Sequence, residues 1–187
     1  MANPYLSDPG IRMDIVEHLP YLESQAAQSQ LVIEFGVEYG NGSTLALMNG
    51  LRQVQGDKLM ISVDVDDRMT LERKPVESYW KFILGNSSCV RVYNEALVFV
   101  NEVWPGGKKA DIIFIDSYHV LYQVKDEINL WISLSDNDTI WLFHDIWDNI
   151  SDQELEFSLG IRAFALSNGY KYEVVSPLCN GLSKMSK

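Results

Sequence analysis

Apolar residues along this chain alternate between short unbroken runs and longer stretches where they recur every three or four positions. The runs read as strands and the stretches as helices. Leu31–Phe35 is the first run and ends in Gly36; Ser43–Gln55 follows with Leu47, Leu51 and Val54 at helical spacing. Lys58–Val63 is the second run, ending at Asp64. Met69–Trp80 reads as a helix interrupted by Pro75. Lys81–Leu84 and Val90–Val92 compete for the third strand across Gly85–Cys89, and Glu95–Val103 is helical up to Pro105-Gly106-Gly107. Asp111–Ile115 is the clearest buried strand and ends at Asp116. Val120, Val124, Ile128 and Trp131 then mark one helix face. A turn at Asp136–Asp138 leads into Thr139–Phe143, closed by His144-Asp145. Ser151 and Glu154 form an S-x-x-E capping box, opening a helix with Phe157, Ile161, Phe164 and Ala165 on one face and Asn168-Gly169 at its end. Tyr172–Val175 and Leu182–Lys187 flank Asn180-Gly181, a hairpin signal. At the front, Asp8 can cap a helix with Pro9 in its first position and Ile11, Ile15 and Leu19 on one side. Pro20 should break it, leaving a second short helix to about Gln28.

Strands alternating with helices predict an α/β fold: a Rossmann-like, seven-stranded, mainly parallel sheet with a terminal antiparallel hairpin. No repeat or linker divides the chain. Residues 1–30 are expected as helices packed on a domain formed by residues 31–187, a single domain overall. In such sheets ligands sit beyond the carboxyl ends of the strands, where strand order reverses. The polar punctuation falls at those ends: Glu34 to Gly42, Asp64, Gly85 to Ser87, Asp116 to His119, and His144-Asp145.

Composition narrows the partners. The formal charge of −11 argues against a surface that tracks phosphates, so neither nucleic acid nor an anionic membrane is an expected partner. No apolar run is long enough to span a bilayer, and Met1–Gly10 lacks the pattern of a secretory signal. Cys89 and Cys179 make neither a disulfide framework nor a CxxC site, which fits a cytoplasmic protein.

The segment Glu34-Phe-Gly36-Val-Glu-Tyr-Gly40-Asn-Gly42-Ser43 leaves a strand and enters a helix. Its glycines allow a ligand to lie against bare backbone. The spacing is not the G-x-G-x-x-G that seats a pyrophosphate. An acid before the first glycine suits a cationic ligand end instead. Asp64 lies 22 residues after Gly42 (64 − 42) and is placed to accept bonds from ribose hydroxyls. An adenosine-bearing ligand with a cationic tail and no pyrophosphate follows, and S-adenosylmethionine (SAM) fits that description.

The same residues resemble known motifs. Glu34-Phe-Gly36-x-x-x-Gly40-x-Gly42-Ser43 is similar to motif I of class I SAM-dependent methyltransferases, and Ser62-Val-Asp64-Val-Asp66 to the acidic motif after it. Asp111-Ile-Ile-Phe-Ile-Asp116-Ser-Tyr-His119 and Phe143-His144-Asp145 resemble segments of a subgroup. It contains macrocin O-methyltransferases, cephalosporin-hydroxylase-like proteins and, more distantly, catechol and caffeoyl-CoA O-methyltransferases. The likeness runs from about residue 30 to 187. It implies the class I methyltransferase fold, with Glu34, Gly36, Gly40 and Ser43 around the methionine part of SAM, Asp64 at the ribose, and Asn86 and Ser87 near the adenine.

Methyl transfer to oxygen needs alignment and a way to remove the hydroxyl proton. Asp116 and Asp145 end neighbouring strands, so their carboxylates could share Mg²⁺ or another divalent cation, with His144 either a third ligand, which would favour a softer metal, or a neutral hydrogen-bond partner. The resemblance implies that pair as a metal site and puts His119 where the catechol relatives carry a catalytic lysine. His119 is the candidate base and Asp116 the second catalytic candidate. Ser117-Tyr118 departs from the Gly-Asp of the subgroup. The expected activity is methylation of a hydroxyl on a small metabolite. The competing readings are a SAM-binding or regulatory protein without turnover and a nicotinamide-dependent oxidoreductase. With no long insertion, the acceptor pocket must come from the N-terminal helices, the loop after Asp145 with Trp147, or a second subunit. That last source leaves a homodimer open.

Overall fold

The computed structural model describes residues 3–8, 10–69, 74–146 and 152–187, the last segment from residue 156 with its side chains. Seven strands form one sheet: β1 (Leu31–Phe35), β2 (Leu59–Asp64), β3 (Trp80–Leu84), β4 (Ile112–Ile115), β5 (Ile140–His144), β6 (Lys171–Ser176) and β7 (Leu182–Ser186). Their order is β3-β2-β1-β4-β5-β7-β6. The first five are parallel, while β7 lies antiparallel between β5 and β6. The chain builds outward from β1 to β3, then returns to the other side of β1 with β4. The switch in strand order therefore falls between β1 and β4.

The helices α1 (Leu19–Ala26), α2 (Ser43–Gln53), α3 (Val90–Val103), α4 (Leu121–Trp131) and α5 (Asp152–Ser167) cover the sheet. Strand residues alternate between two cores with the expected period of two. Leu31, Ile33, Phe35, Ile113 and Ile115 pack with Val92, Val100, Val124, Ile128 and Phe157 from α3, α4 and α5. Val32, Met60, Ile112 and Phe114 pack on the opposite face with Leu19 and Leu22 of α1 and Leu47 and Leu51 of α2.

The main expectations for the sheet hold, and four local ones change. No helix runs from Asp8 to Leu19. The chain makes a short 3-10 turn at Pro4–Ser7, then turns until α1 begins at Leu19. Pro20 opens α1 instead of breaking a helix, because a first-turn residue needs no N–H partner, whereas its ring would clash with an α-helix continuing from before it. Ile11, Ile15 and Leu19 are buried as expected, but turns bring them inward. Residues 74–79 are not helical, in keeping with Pro75, and residues 70–73 of that expected helix lie outside the described residues. The third strand is Trp80–Leu84, paired in register with β2, and Val90–Val92 is the first turn of α3. Pro9, Trp147 and Ser151 of the capping box also lie outside the described residues. Among those residues, no helix is long and apolar enough to cross a membrane.

Candidate functional site

The carboxyl ends of β1 and β4 are pressed together at Gly36. Its φ is +87°, its N–H donates to the Val63 carbonyl at 2.9 Å, and an added Cβ would lie 2.0 Å from the Asp116 carbonyl oxygen. Only glycine satisfies both the angle and the space. The loop that follows is braced by Asp64. Its Oδ2 accepts from the Val37 and Glu38 amides at 2.7 and 3.0 Å, and its Oδ1 from the Asp66 amide at 3.1 Å.

Glu34 lies beneath this loop. It shares the face of β1 that carries Val32, so it points under α2 and is fully buried. Its Oε2 accepts from Thr44 at 2.9 Å and Ser62 at 2.8 Å, while Oε1 has no hydrogen-bond partner among the described residues. Burial raises its pKa to about 7 against the opposing effect of the Ser43, Ser62 and Thr44 hydroxyls. The folded pKa exceeds the unfolded one. The associated stability is therefore full below about pH 4.5 and is lost as pH rises through about 7. The span is roughly 2–4 kcal/mol. Denaturant melts should show the wild type losing stability between pH 5 and 8, and Glu34→Gln, neutral throughout, losing less. Parallel curves for the two proteins would refute this.

Two hollows adjoin at the switch point. A cavity of about 330 Å³ is lined by Gly36, Ser43, Asp64, Asp116, His119, His144 and Asp145, with Arg12 and Asp14 over it. A second, of about 490 Å³, is lined by Gly85, Asn86, Ser87, Ser117, Tyr118 and Tyr122. Both share Gly36, Asp64 and Asp116, so they form one cleft. Of the expected site residues, Glu34 is not on its wall, and Gly40 borders a separate hollow beside Arg52 and Lys74.

At one end of the cleft, two acids and two histidines interlock. His144 is 2% exposed. Its Nδ1 lies 3.0 Å from Asp116 Oδ1 and 3.1 Å from Asp145 Oδ1, and its Nε2 lies 3.0 and 3.1 Å from the carbonyls of Asp14 and Cys179. Both ring nitrogens face acceptors, so both carry protons and the ring is a cation. Burial opposes that charge, but Asp116 and Asp145 push the His144 pKa up to about 9. Burial likewise opposes ionisation of Asp116, which His144 and His119 nevertheless hold at about 2. Asp145 moves the other way: its burial outweighs the two rings and raises its pKa.

His119 follows Asp116 by one short turn and lines the cavity. Its Nδ1 lies 3.0 Å from Asp145 Oδ2. Its Nε2 is 3.3 Å from Asp116 Oδ1, but without the alignment of a hydrogen bond. Phe157 packs edge-on against the ring, 5.7 Å between centroids. Burial lowers the His119 pKa, yet Asp116 and Asp145 more than offset it and the net shift is upward. Each ring nitrogen thus lies within ion-pair distance of a carboxylate, Nδ1 of Asp145 and the buried Nε2 of Asp116.

Asp116, His144 and Asp145 offer ligand atoms within 4.8 Å of one another. Among the described residues Asp145 Oδ1 has no hydrogen-bond partner. If His144 gave up its Nδ1 proton, its Nε2 would stay anchored to two carbonyls, the usual support of a metal-bound histidine. The donor set therefore fits a divalent cation.

Sequence reasoning missed Arg12, Asp14 and Glu127. Arg12 pairs with Asp14 and with Glu38 across the cavity mouth. Asp14 contributes a backbone carbonyl, for which no residue type is a marker. Glu127 did leave a signal: an acid on the apolar stripe of α4, three residues after Val124.

A family model described as a methyltransferase domain matches residues 33–146. No curated protein matches the chain. Several solved structures share its fold. A protein of Staphylococcus aureus, described as a candidate caffeoyl-CoA O-methyltransferase, is 14% identical with a TM-score of 0.65, over 91% of this chain and 83% of that one. An O-methyltransferase of Bacillus cereus in complex with SAH is 16% identical with a TM-score of 0.61, over 91% and 81%. MycE, a methyltransferase of the mycinamycin biosynthetic pathway solved with Mg, SAH and mycinamycin VI, is 14% identical with a TM-score of 0.61, over 91% of this chain and 48% of that one. This chain therefore spans about half the length of MycE.

Proposed function

The chain belongs to the methyltransferase-domain family that matches residues 33–146, and from that premise we propose that it is a SAM-dependent O-methyltransferase acting on a small hydroxylated metabolite. One observation carries the reading. His119 lines the same cavity as Asp64, with its two ring nitrogens 3.0 and 3.3 Å from the carboxylates of Asp145 and Asp116.

The cofactor fits the cleft. Asp14, Glu38, Asp64, Asp116 and Asp145 give the first cavity an acidic lining suited to a sulfonium and an ammonium. Asp64 would hold the ribose through Oδ1, which accepts one bond from the loop while Oδ2 already accepts two. Gly36 and Ser43 would lie against the methionine part, with Gly40 shaping the loop, and Asn86 and Ser87 would meet the adenine in the second cavity. Glu34 would act from below, fixing the start of α2 through Thr44.

When bound, SAM supplies a methyl group activated by its positive sulfur. The His119 ring takes the proton from the acceptor hydroxyl, and Asp116 and Asp145 steady the resulting imidazolium. Positive charge brought into the cleft lowers the proton affinity of His119 and so favours the neutral base. Asp116 and His144 set the field around it. A divalent cation such as Mg²⁺ would be held by Asp116, Asp145 and His144, and would lower the cost of ionising the hydroxyl. Cys89 and Cys179 are free, in keeping with a cytoplasmic enzyme.

Calorimetry with SAM and S-adenosylhomocysteine (SAH) tests the reading. Wild-type protein should bind both, and Asp64→Ala should bind about tenfold or more weakly, the loss of charge-assisted bonding to the ribose. No binding at high micromolar ligand would overturn it. Methyl transfer in a metabolite screen, run with Mg²⁺ and with a chelator, would exclude the reading without turnover and decide the cation's part.

A further inference from the structure

Glu127 belongs to α4, is completely buried, and lies beneath the second cavity without lining it. Its Oε1 accepts three bonds: from Ser87 Oγ, from Ser117 Oγ at 2.7 Å and from Gln123 Nε2 at 3.1 Å. Ser87 sits on the loop between β3 and α3, and Ser117 on the loop leaving β4. One oxygen atom therefore ties together two walls of the cavity that approach from different strands. The tie extends outward. Gln123 also donates to Asn86 Oδ1 at 3.0 Å, and the Ser87 carbonyl accepts from Trp131 Nε1 at 2.7 Å.

Folding alone does not call for an acid here. The position is flanked by Val124, Ile128 and Trp131 on the same buried stripe, and an apolar side chain would pack there without a desolvation cost. Glu127 also leaves Oε2 buried with no partner among the described residues, which adds to that cost. Ser117 supplies one of the three donors, at the position where the resembling subgroup carries glycine. The departure and the buried acid thus form a pair.

We infer that Glu127 is a positioning residue that holds the Ser87 and Ser117 loops at the spacing an adenine ring requires, and so sets selectivity for the base of the cofactor. This rests on the reading of the second cavity as the base subsite. Glu127 touches neither cofactor nor acceptor. It works by fixing Asn86 and the Ser87 backbone, whose groups would meet the edge of the ring.

The test compares SAH with S-inosylhomocysteine, which carries a carbonyl where adenine has its amino group. Wild-type protein should prefer SAH. In Glu127→Leu the SAH affinity should fall about tenfold and the preference between the two ligands should collapse. The KM for SAM should rise by a similar factor while kcat at saturation falls less than about threefold. Glu127→Gln keeps an acceptor for both serines and should restore most of the preference. A merely structural role would lower the melting temperature and leave the preference intact, and that result overturns the inference. Should Glu127→Leu not fold, Ser117→Ala removes one tie with Glu127 in place. It should lose roughly threefold in preference, and no change would overturn the inference. If the wild type binds neither ligand, the base-subsite reading falls and this inference with it. If the wild type binds SAH and the variants match it, only the inference falls.

Discussion

Replacing His119 with alanine should lower kcat by about 10²–10⁴-fold while changing SAH affinity less than about threefold, the usual share of a general base in such a step. The reason lies in the two different environments of its ring nitrogens. Nδ1 lies 3.0 Å from Asp145 Oδ2, and Nε2 is buried 3.3 Å from Asp116 Oδ1 without a hydrogen bond among the described residues. Loss of the ring removes the proton acceptor but none of the walls formed by Gly36, Ser43 and Asp64. Asp145→Asn should mimic much of the loss, because an amide cannot steady the charged ring. The acidic limb of the wild-type kcat/KM profile for SAM, which reports the free enzyme, should lie above the ordinary histidine range, since Asp116 and Asp145 outweigh the lowering effect of burial on His119. Steady-state kinetics across pH, with SAH titrations on each variant, provide the check. A His119→Ala protein with wild-type turnover would remove His119 from the chemistry.

Gly36→Ala should be the most damaging single methyl group in the molecule's cleft, costing about 3 kcal/mol or more in stability and at least about tenfold in SAH affinity. Two effects add. The φ of +87° disfavours any L side chain, and the new Cβ would meet the Asp116 carbonyl at 2.0 Å. Backbone must then move, and the strand end that moves carries the Asp116 carboxylate away from His119 and His144. Gly56 provides the control. Its φ is +81°, but nothing lies within 4 Å of an added Cβ. Gly56→Ala should therefore show the conformational cost alone, about 1–2 kcal/mol, with SAH binding intact. Equal denaturation midpoints for the two variants would show that the contact between β1 and β4 does not matter.

The sheet was readable because its strands are short apolar runs that stop at polar residues, as Asp111–Ile115 stops at Asp116. That punctuation also marked Asp64, Asp116 and His144-Asp145, since residues at the carboxyl ends of parallel strands converge whatever their separation in sequence. Val90–Val92 misled for the opposite reason. Its β-branched residues favour a strand locally, but Val92 packs against the sheet from a helix, and β2 already pairs with Trp80–Leu84. The front of the chain showed genuine burial at Ile11 and Ile15 with the wrong local geometry, because periodicity reports which residues turn inward, not how the backbone gets there. The carbonyls of Asp14 and Cys179 that hold His144 could not be foreseen, as any residue supplies a carbonyl. Glu34 was expected to face a ligand. The hydroxyls of Thr44 and Ser62 that enclose it come from two other elements, visible only once α2 lies over the sheet.

The placement of β7 bears on how the protein assembles. It is last in sequence yet lies between β5 and β6. Until residues 182–186 dock, β5 exposes an unpaired edge through Trp141, Leu142 and Phe143, an apolar template for any neighbouring strand. The Cys179 carbonyl that fixes His144 belongs to the turn just before β7. Nascent chains on the ribosome would therefore carry a sticky, uncatalytic sheet until residues 182–186 have emerged, and crowding during that window would favour aggregation over folding.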